Sequence, residues 1–415
     1  MYLTLATAWN FVTPPFEAPD EDAHVRYVLF LAREHRIPDP RVDGARSGDE
    51  SFHPPLFYAI GAAVLDASAM PLDPVLPARV TGWDWDTTPK NYFMPSAART
   101  DYLHLLRELS VLFGLITVTA TYLAATILGA TGLVRITAAI VTAALPQFTY
   151  IAAAVNPDSA AVAVASVGLV LLLLILRSPI PRTRLTFAFG ATVGLAVLFE
   201  YHTVYLFGLA ALAYPMVHGR GLRPFLRDAV IAGASFLAVA GWWFVLNAVR
   251  YGDPSGLSMQ RLLAPELLTP RSLFDPYFVY FFPTITYESF FGVFGWLNVY
   301  LPASLYLAFA ACCVLALAGL ITAMLVRHSW DAPRRALVLA PGILLALVLY
   351  ANLTFNAPQG RYFFPALAAI SCLLALGLAE LPRWLARWSL IAVPVFLVGA
   401  NLYSLWLVWG VFARA

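Results

Sequence analysis

A chain of 415 residues that is 60% hydrophobic and only 12% charged cannot fold as a water-soluble globule; its long Leu, Ala, Val and Phe runs read as many membrane-spanning helices. A formal net charge of +2 gives no ground for a nucleic-acid partner. The three cysteines, Cys312, Cys313 and Cys372, lie inside apolar runs without metal spacing or a disulfide framework, and read as core thiols.

Spans in a bilayer must satisfy their own backbone, so the fold class is an all-α polytopic bundle, with irregular polar stretches at the surfaces or lining a cavity. Tyr2–Thr13 comes first. At about 12 residues, without a basic flank, it is short of the roughly 20 a bilayer needs, and is expected to be part of a span whose cytoplasmic end lies outside the sequence. Next comes a crowded acidic stretch, "PPFEAPDEDAHVRYV". Pro19 suits a first helical position and Asp20, Glu21 and Asp22 the positive first turn of a helix over Pro19–His35. Val25, Val28, Leu29 and Ala32 form a stripe at helical spacing, as in an amphipathic helix at the membrane interface. One reading makes the carboxylates helix caps. The other makes them chemical, because three in one turn repel while capping needs one, and because Asp20 and His24 share a face at i, i+4.

"FHPPLFY" places His53 ahead of two prolines that stiffen the chain and start Leu56–Met70, either structurally or as a contact to a ligand. Leu56–Met70 is short and contains Asp66, so it is expected to lie on the outer surface rather than to span. Runs long enough to cross are Leu109–Leu128, Val134–Ala154, Ser159–Leu176, Ala229–Val249, Leu301–Val326, Ala336–Leu353, Phe363–Leu381 and Ser389–Phe412. Leu185–Phe199 and Thr203–Val217 read as two short helices parted by Glu200-Tyr201-His202.

Arginine sets the sides. Arg177, Arg182 and Arg184, then Arg220, Arg223 and Arg227, then Arg327, Arg334 and Arg335, then Arg383 and Arg387 fall in loops that alternate correctly, marking the cytoplasmic face. Counting back gives about 11 spans. Residues 16–108 and 250–300 then become large outer loops on a single domain over residues 1–415, and the unusual polar motifs gather outside.

In "AVNPDSA", Asn156 reads as an N-cap, Pro157 as the first position and Asp158 as a first-turn carboxylate facing the outer cavity. Glu200 and His202 are ionisable groups at membrane depth, which are costly and usually face a cavity. "APQGRYFFP" sets Gln359, Gly360, Arg361 and Tyr362 at the outer start of a long apolar helix, where free backbone donors and the Arg361 fork suit a phosphate; the alternative is a snorkelling anchor. Arg107 is a weaker version of the same feature. The aromatic stretch 277–302 reads mostly as interfacial belt, with faces that also suit sugar rings or lipid chains.

Carboxylates, an arginine anion site and an aromatic groove on one face fit a sugar presented on a lipid phosphate. A carboxylate would take the proton of an acceptor hydroxyl, and a phosphate ester would leave without needing a strong acid.

The ordered motifs "APDEDAH", "HPPLFY", Arg107, "NPD", "FFGVFGW" and "QGRYFFP" resemble the GT-C superfamily of polytopic glycosyltransferases. The chain looks most like a family of uncharacterised bacterial membrane proteins within it, and more distantly like protein O-mannosyltransferases and the lipid A aminoarabinose transferase. The resemblance implies an inverting transferase in the bacterial plasma membrane. It would use a polyprenyl-phosphate sugar donor and a glycan, lipid or protein acceptor, at an extracytoplasmic site. It also implies that Asp20 is the catalytic base and that Glu21 completes the family's acidic pair. His24 joins them as a catalytic candidate. The candidates for substrate binding are Arg361, Gln359, Tyr362, His53, Arg107, Asp158, Glu200 and His202. Aminoarabinose transferases carry Lys where His53 stands, so the resemblance does not carry that contact over to His53; close relatives often hold Lys where Glu200-Tyr201-His202 occurs, a departure that bears on donor preference. The superfamily includes users and non-users of a divalent metal, so the resemblance leaves a divalent metal open as the one cofactor it admits. The rivals are a transporter or lipid flippase, which would also explain Glu200 and His202, and a non-catalytic envelope subunit.

Overall fold

The computed structural model describes residues 1–70, 76, 80, 91–93, 100–178, 180, 182–217, 221–325 and 330–413, and helix dominates it. Among the described residues the only paired strands are Val293–Phe294 and Val299–Tyr300, an antiparallel hairpin. Seven helices there are long and apolar enough to cross a membrane: Asp101–Ile127, Asp158–Arg177, Leu222–Tyr251, Ala303–Leu325, Ala332–Asn352, Gly360–Ala379 and Arg383–Phe412. The remaining expected crossings correspond to shorter helices, Tyr2–Val12, Gly132–Ala144, Thr183–Val197 and Tyr205–Ala213.

Two of the expected runs are broken, for local reasons. Val134–Ala154 stops at Ala144 and resumes as the short helix Pro146–Ile151, because Leu145, ahead of a proline, is driven into an extended conformation. Phe363–Leu381 begins as a tight 3-10 segment, Gly360–Ala366, and becomes α-helical only at Leu367.

Ion pairs and hydrogen bonds show which helix ends lie together. Arg177 meets Asp331 at 3.0 Å, and Arg334 donates to the carbonyl of Leu128, so the ends of two spans and the start of a third converge. At the other end of the same helices, Asp158 lies near Arg361 and Arg107 near the turn after Tyr2–Val12. A 20-residue helix is about 30 Å long, so the arginine-rich end and the acidic end lie a hydrocarbon thickness apart.

Between the ends, packing is close. Gly319 and Gly377 bring two spans into backbone contact, where a Cβ on either would collide with the other helix. Trp9 is fully buried, donates to Asn401 and packs edge-on against Tyr150. Cys372 belongs to this core, whereas Cys313 lies on the outside of the bundle and is not a core thiol.

The first-loop helices are Glu21–Glu34, Pro40–Ser47 and Leu56–Ser68. Much of the expected outer loop 16–108, from residue 71 to 99, lies largely outside the described residues. The first of these helices starts at Glu21, not Pro19, and its burial runs round the helix rather than along one stripe. It is sunk between the bundle and Leu56–Ser68, with Tyr27 stacked on Tyr58 at 4.0 Å. The aromatic segment after residue 277 is also not simply a belt. Phe282, Phe291 and Phe294 are buried, and Phe291 stacks on Phe309 at 4.4 Å.

Candidate active site

Asp20 sits just before its helix with a left-handed backbone, φ 61°. A non-glycine residue held there is uncommon and marks a position that its surroundings enforce. Its carbonyl accepts from the amide of His24, but its carboxylate makes no capping bond. Of the two readings of this side chain, capping is not the one the structure shows. It turns away from the helix and pairs with Arg361, Nη2 to Oδ2, at 2.9 Å, while staying one-third exposed.

Glu21, one residue on, is wholly buried. Its carboxylate takes two bonds from Arg107, of 2.8 and 2.6 Å, and one each from the amides of Phe16 and Val155. The remaining Arg107 donors go to the carbonyls of Asn10, Thr13 and Pro14. Neither group is open to a ligand. Glu21 as a catalytic carboxylate and Arg107 as a phosphate contact, both expected from the sequence, are not where the structure puts them. Together they tie the turn before Asp20 to the Asp101–Ile127 span and to the "AVNPDSA" loop.

Arg361 follows Gly360, whose backbone is pressed against Phe281–Phe291 so closely that a Cβ would strike the backbone of Phe290 and Thr286. The Gly360 amide donates to Ser289 at 2.8 Å, and Thr286 donates to the carbonyl of Pro358. This docking fixes the arginine. Its side chain is 9% exposed; Nη2 is on Asp20, Nη1 is 3.6 Å from Asp158, and Nε has no partner. The 3.6 Å approach is too long for a hydrogen bond, and Asp158 Oδ2 is likewise unpaired. Asp158 begins its helix, as expected, but Pro157 occupies the cap position, and Asn156 donates to the carbonyl of Ile151 instead of capping.

His24 does not share a proton with Asp20. Its Nδ1 faces the hydroxyl of Tyr58 at 2.9 Å. Burial lowers its pKa to about 4, so it is neutral near pH 7. His53 is its opposite. It is 2.7 Å from Glu50 and 3.0 Å from Glu200, and although burial disfavours its charge, these two carboxylates hold it well above the ordinary imidazole value. Glu200 is buried too, yet His53 keeps its carboxyl below the usual range. An extended residue between Thr183–Val197 and the 3-10 turn Tyr201–Val204 turns Glu200 inward. His202 stands 3.8 Å from Glu200 and edge-on to Tyr362. Gln359 precedes the 3-10 turn, half-buried, and no hydrogen bond of its side chain occurs among the described residues.

The structure thus gathers Asp20, Arg361, Asp158, His24, His53, Glu200, His202 and Tyr362, and leaves Glu21 and Arg107 in the wall behind them. Glu50 and Tyr58 were missed by sequence reading. The first carried a signal, its i, i+3 spacing to His53; the second lay unremarked inside "HPPLFY". Among the described residues no three His, Cys, Asp or Glu side chains converge as a metal ion requires.

A helical membrane bundle with extra helices folded over one end, and ionisable groups converging there, is the GT-C type of fold. Solved structures with this architecture include ArnT from Cupriavidus metallidurans bound to undecaprenyl phosphate, with TM-score 0.59 and 15% identity, covering 94% of this chain and 62% of that one. The apo state of the same protein gives TM-score 0.61 and 13% identity, over 99% of this chain and 76% of that one. The arabinofuranosyltransferase AftD from Mycobacteria gives 0.59 and 14%, over 97% and 26%. This chain therefore spans less than two thirds of the undecaprenyl-phosphate-bound ArnT, and at these identities the likeness is one of fold. The protein belongs to the family of predicted membrane proteins DUF2142, which it matches over residues 102–370. No curated protein matches it in sequence.

Proposed function

We propose that this protein is a membrane glycosyltransferase that moves a sugar from a polyprenyl-phosphate donor to an acceptor hydroxyl. The observation that carries the reading is Arg361: a nine-tenths-buried cation with an unpartnered Nε, beside a carboxylate that is one-third exposed and does not cap its helix. Such a guanidinium suits the phosphate of the donor, and stabilises the charge that develops as it leaves. Asp20 takes the proton of the acceptor hydroxyl. The acceptor oxygen forms its bond to the anomeric carbon as the bond from that carbon to the phosphate oxygen breaks, and the phosphate departs with the electron pair. A single displacement of this kind inverts the anomeric centre. Asp158 and Glu200 offer acceptors for sugar hydroxyls around the reacting carbon, and His53, with a ring nitrogen on each of Glu50 and Glu200, holds Glu200 in place.

The arginine-rich end is cytoplasmic by the excess of positive charge in short loops, so the reaction belongs to the extracytoplasmic face of a bacterial plasma membrane. A single unit over residues 1–415 carries it, with the loops 16–108 and 250–300 contributing to the site. Solved proteins of like fold support this reading by what they hold: undecaprenyl phosphate in ArnT, and an inhibitory peptide with a dolichol-phosphate in the oligosaccharyltransferase AglB from Archaeoglobus fulgidus (TM-score 0.51). A transporter is disfavoured because the ionisable cluster lies at one end of the bundle, whereas secondary transporters bind near the midplane.

The test is transfer of radiolabelled sugar from a panel of polyprenyl-phosphate donors into membrane extracts, by wild type and by Asp20→Asn. Label should pass to an acceptor with wild type alone. Equal transfer by both proteins would remove Asp20 from the mechanism, and transfer by neither from any donor would remove the activity.

A further inference from the structure

Glu50 and His53 share a tight turn, which the His53 amide closes on the Glu50 carbonyl at 3.1 Å, and Pro54 and Pro55 stiffen the chain that follows. Across the turn, Nε2 of the ring lies 2.7 Å from the Glu50 carboxylate. Nδ1, on the other edge of the same ring, lies 3.0 Å from Glu200. A backbone link runs alongside: the amide of Leu56 donates to the carbonyl of Leu198, so this part of the first loop docks on the turn that carries Glu200.

The chemistry of the ring sets its charge. Neutral imidazole has one N–H, and its second nitrogen presents a lone pair; only imidazolium presents a proton at both. A carboxylate at each nitrogen therefore calls for the charged form, because a bare nitrogen at either distance would face an anion. Glu200 alone would not impose this, since neutral His53 could turn its one proton toward it.

We propose that Glu50 is a positioning residue: by taking the second ring nitrogen it keeps His53 an imidazolium, which pins the Glu200 carboxylate where the donor's sugar binds. This rests on the reading of Glu200 as an acceptor for sugar hydroxyls, and adds a residue that acts without touching the sugar. Glu200 is only 11% exposed, and a carboxylate so far removed from water needs a compensating cation. His53 is that cation, while His202 stands off at 3.8 Å. With His53 neutral, Glu200 takes up a proton or swings toward water, and in either case ceases to offer an acceptor at that place. The other ionisable groups facing His53 do not replace Glu50. His24, edge-on at 6.1 Å, is neutral near pH 7 and held by Tyr58. Asp158 faces it from the bundle but lies 3.6 Å from Arg361.

The test reads the ring directly, by the nitrogen NMR spectrum of protein carrying isotope-labelled histidine. His53→Gln identifies the His53 signals among the seven histidines. Wild-type His53 should hold a proton on both ring nitrogens from about pH 6 to about pH 8. Glu50→Gln, isosteric and uncharged, should lower the pH at which one proton leaves by about one to three units, the effect of one carboxylate at contact distance. Glu50→Asp should restore most of that shift. Sugar transfer should follow the same order. Glu50→Gln should match wild type near about pH 6 and lose kcat/KM about tenfold or more toward about pH 9, one charge-assisted bond's worth, with Glu50→Asp in between.

One bare ring nitrogen on wild-type His53 at pH 7 overturns the pin, whether or not any variant folds. A Glu50→Gln spectrum that titrates like wild type, or a loss of transfer equal at every pH, overturns the role of Glu50. Absence of transfer by wild type from every donor removes the glycosyltransferase reading instead, and the spectra alone then decide the pin.

Discussion

Asp20 and Glu21 are adjacent, carry the same charge and each meet an arginine, yet the two pairs are built for opposite ends. Glu21 and Arg107 are both wholly buried, and every donor of Arg107 has an acceptor. Asp20 and Arg361 share one bond, with Asp20 one-third exposed and a nitrogen of Arg361 unpaired. A charge pair completed on all sides in low dielectric has nothing left to give a ligand and resists separation. An incomplete pair at the edge of water can exchange partners. The difference teaches that the chemistry of an Arg–carboxylate contact is read from its unsatisfied atoms rather than from its length, since 2.9 Å and 2.6 Å look alike.

The largest expected effect is on the open pair. Asp20→Asn should lower the initial transfer rate roughly 100- to 10,000-fold, the range for a lost general base, with little change in the melting temperature of the purified protein, because Asn accepts the same backbone. A rate within a few-fold of wild type would break the contrast at its catalytic side. Next comes the sealed pair. Arg107→Ala leaves Glu21 charged and unpaired in the interior, which costs about 3–5 kcal/mol, so thermal unfolding in detergent should fall sharply. Survival of Arg107→Ala at wild-type stability would mean that water reaches Glu21 and that the pair is not sealed.

Arg361→Lys keeps the charge and loses the fork, so its donor affinity should drop about tenfold, one charge-assisted bond's worth, with folding intact. Binding of a polyprenyl phosphate measures it, and equal affinity would return Arg361 to an anchoring role. The smallest effect concerns Glu17, a third carboxylate of the same stretch and one held by backbone amides. It accepts from Tyr92 and Phe93, and burial still raises its pKa to about 7. A carboxyl raised in the folded state favours folding when neutral, so its contribution is full below about pH 4.5 and lost as pH rises through about 7. Glu17→Gln is fixed neutral but keeps one acceptor oxygen where Tyr92 and Phe93 use two, so it should melt below wild type at pH 4 and gain on wild type as pH rises to 8. The same difference at both pH values would place Glu17 among the groups that stay ionised.

Much of the molecule was legible before any coordinates. Apolar run length gave the long apolar helices, because a bilayer imposes one length and one secondary structure. The alternation of arginine loops agrees with the way Arg177, Asp331 and Arg334 converge at one end while Asp158 and Arg361 meet at the other. The broken helix at Pro146 was readable in principle, from the constraint a proline puts on the residue before it. Residue type also nominated most of the polar cluster, since ionisable groups are too costly near lipid to be incidental.

What the chain's order could not decide was which carboxylate met which arginine. Asp20 lies 341 positions from Arg361 and Glu21 lies 86 from Arg107, and no local propensity reaches over such separations. The left-handed turn at Asp20 sends two neighbouring side chains in different directions, one to the buried Arg107 and one to Arg361. His24 and His53 divide in the same way: identical side chains, one made neutral by burial, the other kept charged by Glu50 of its own loop and by Glu200, which arrives from elsewhere. Periodicity and composition are properties of a stretch, and they determined the bundle. Partnership and protonation are properties of a place, and the packing of distant segments alone creates the place.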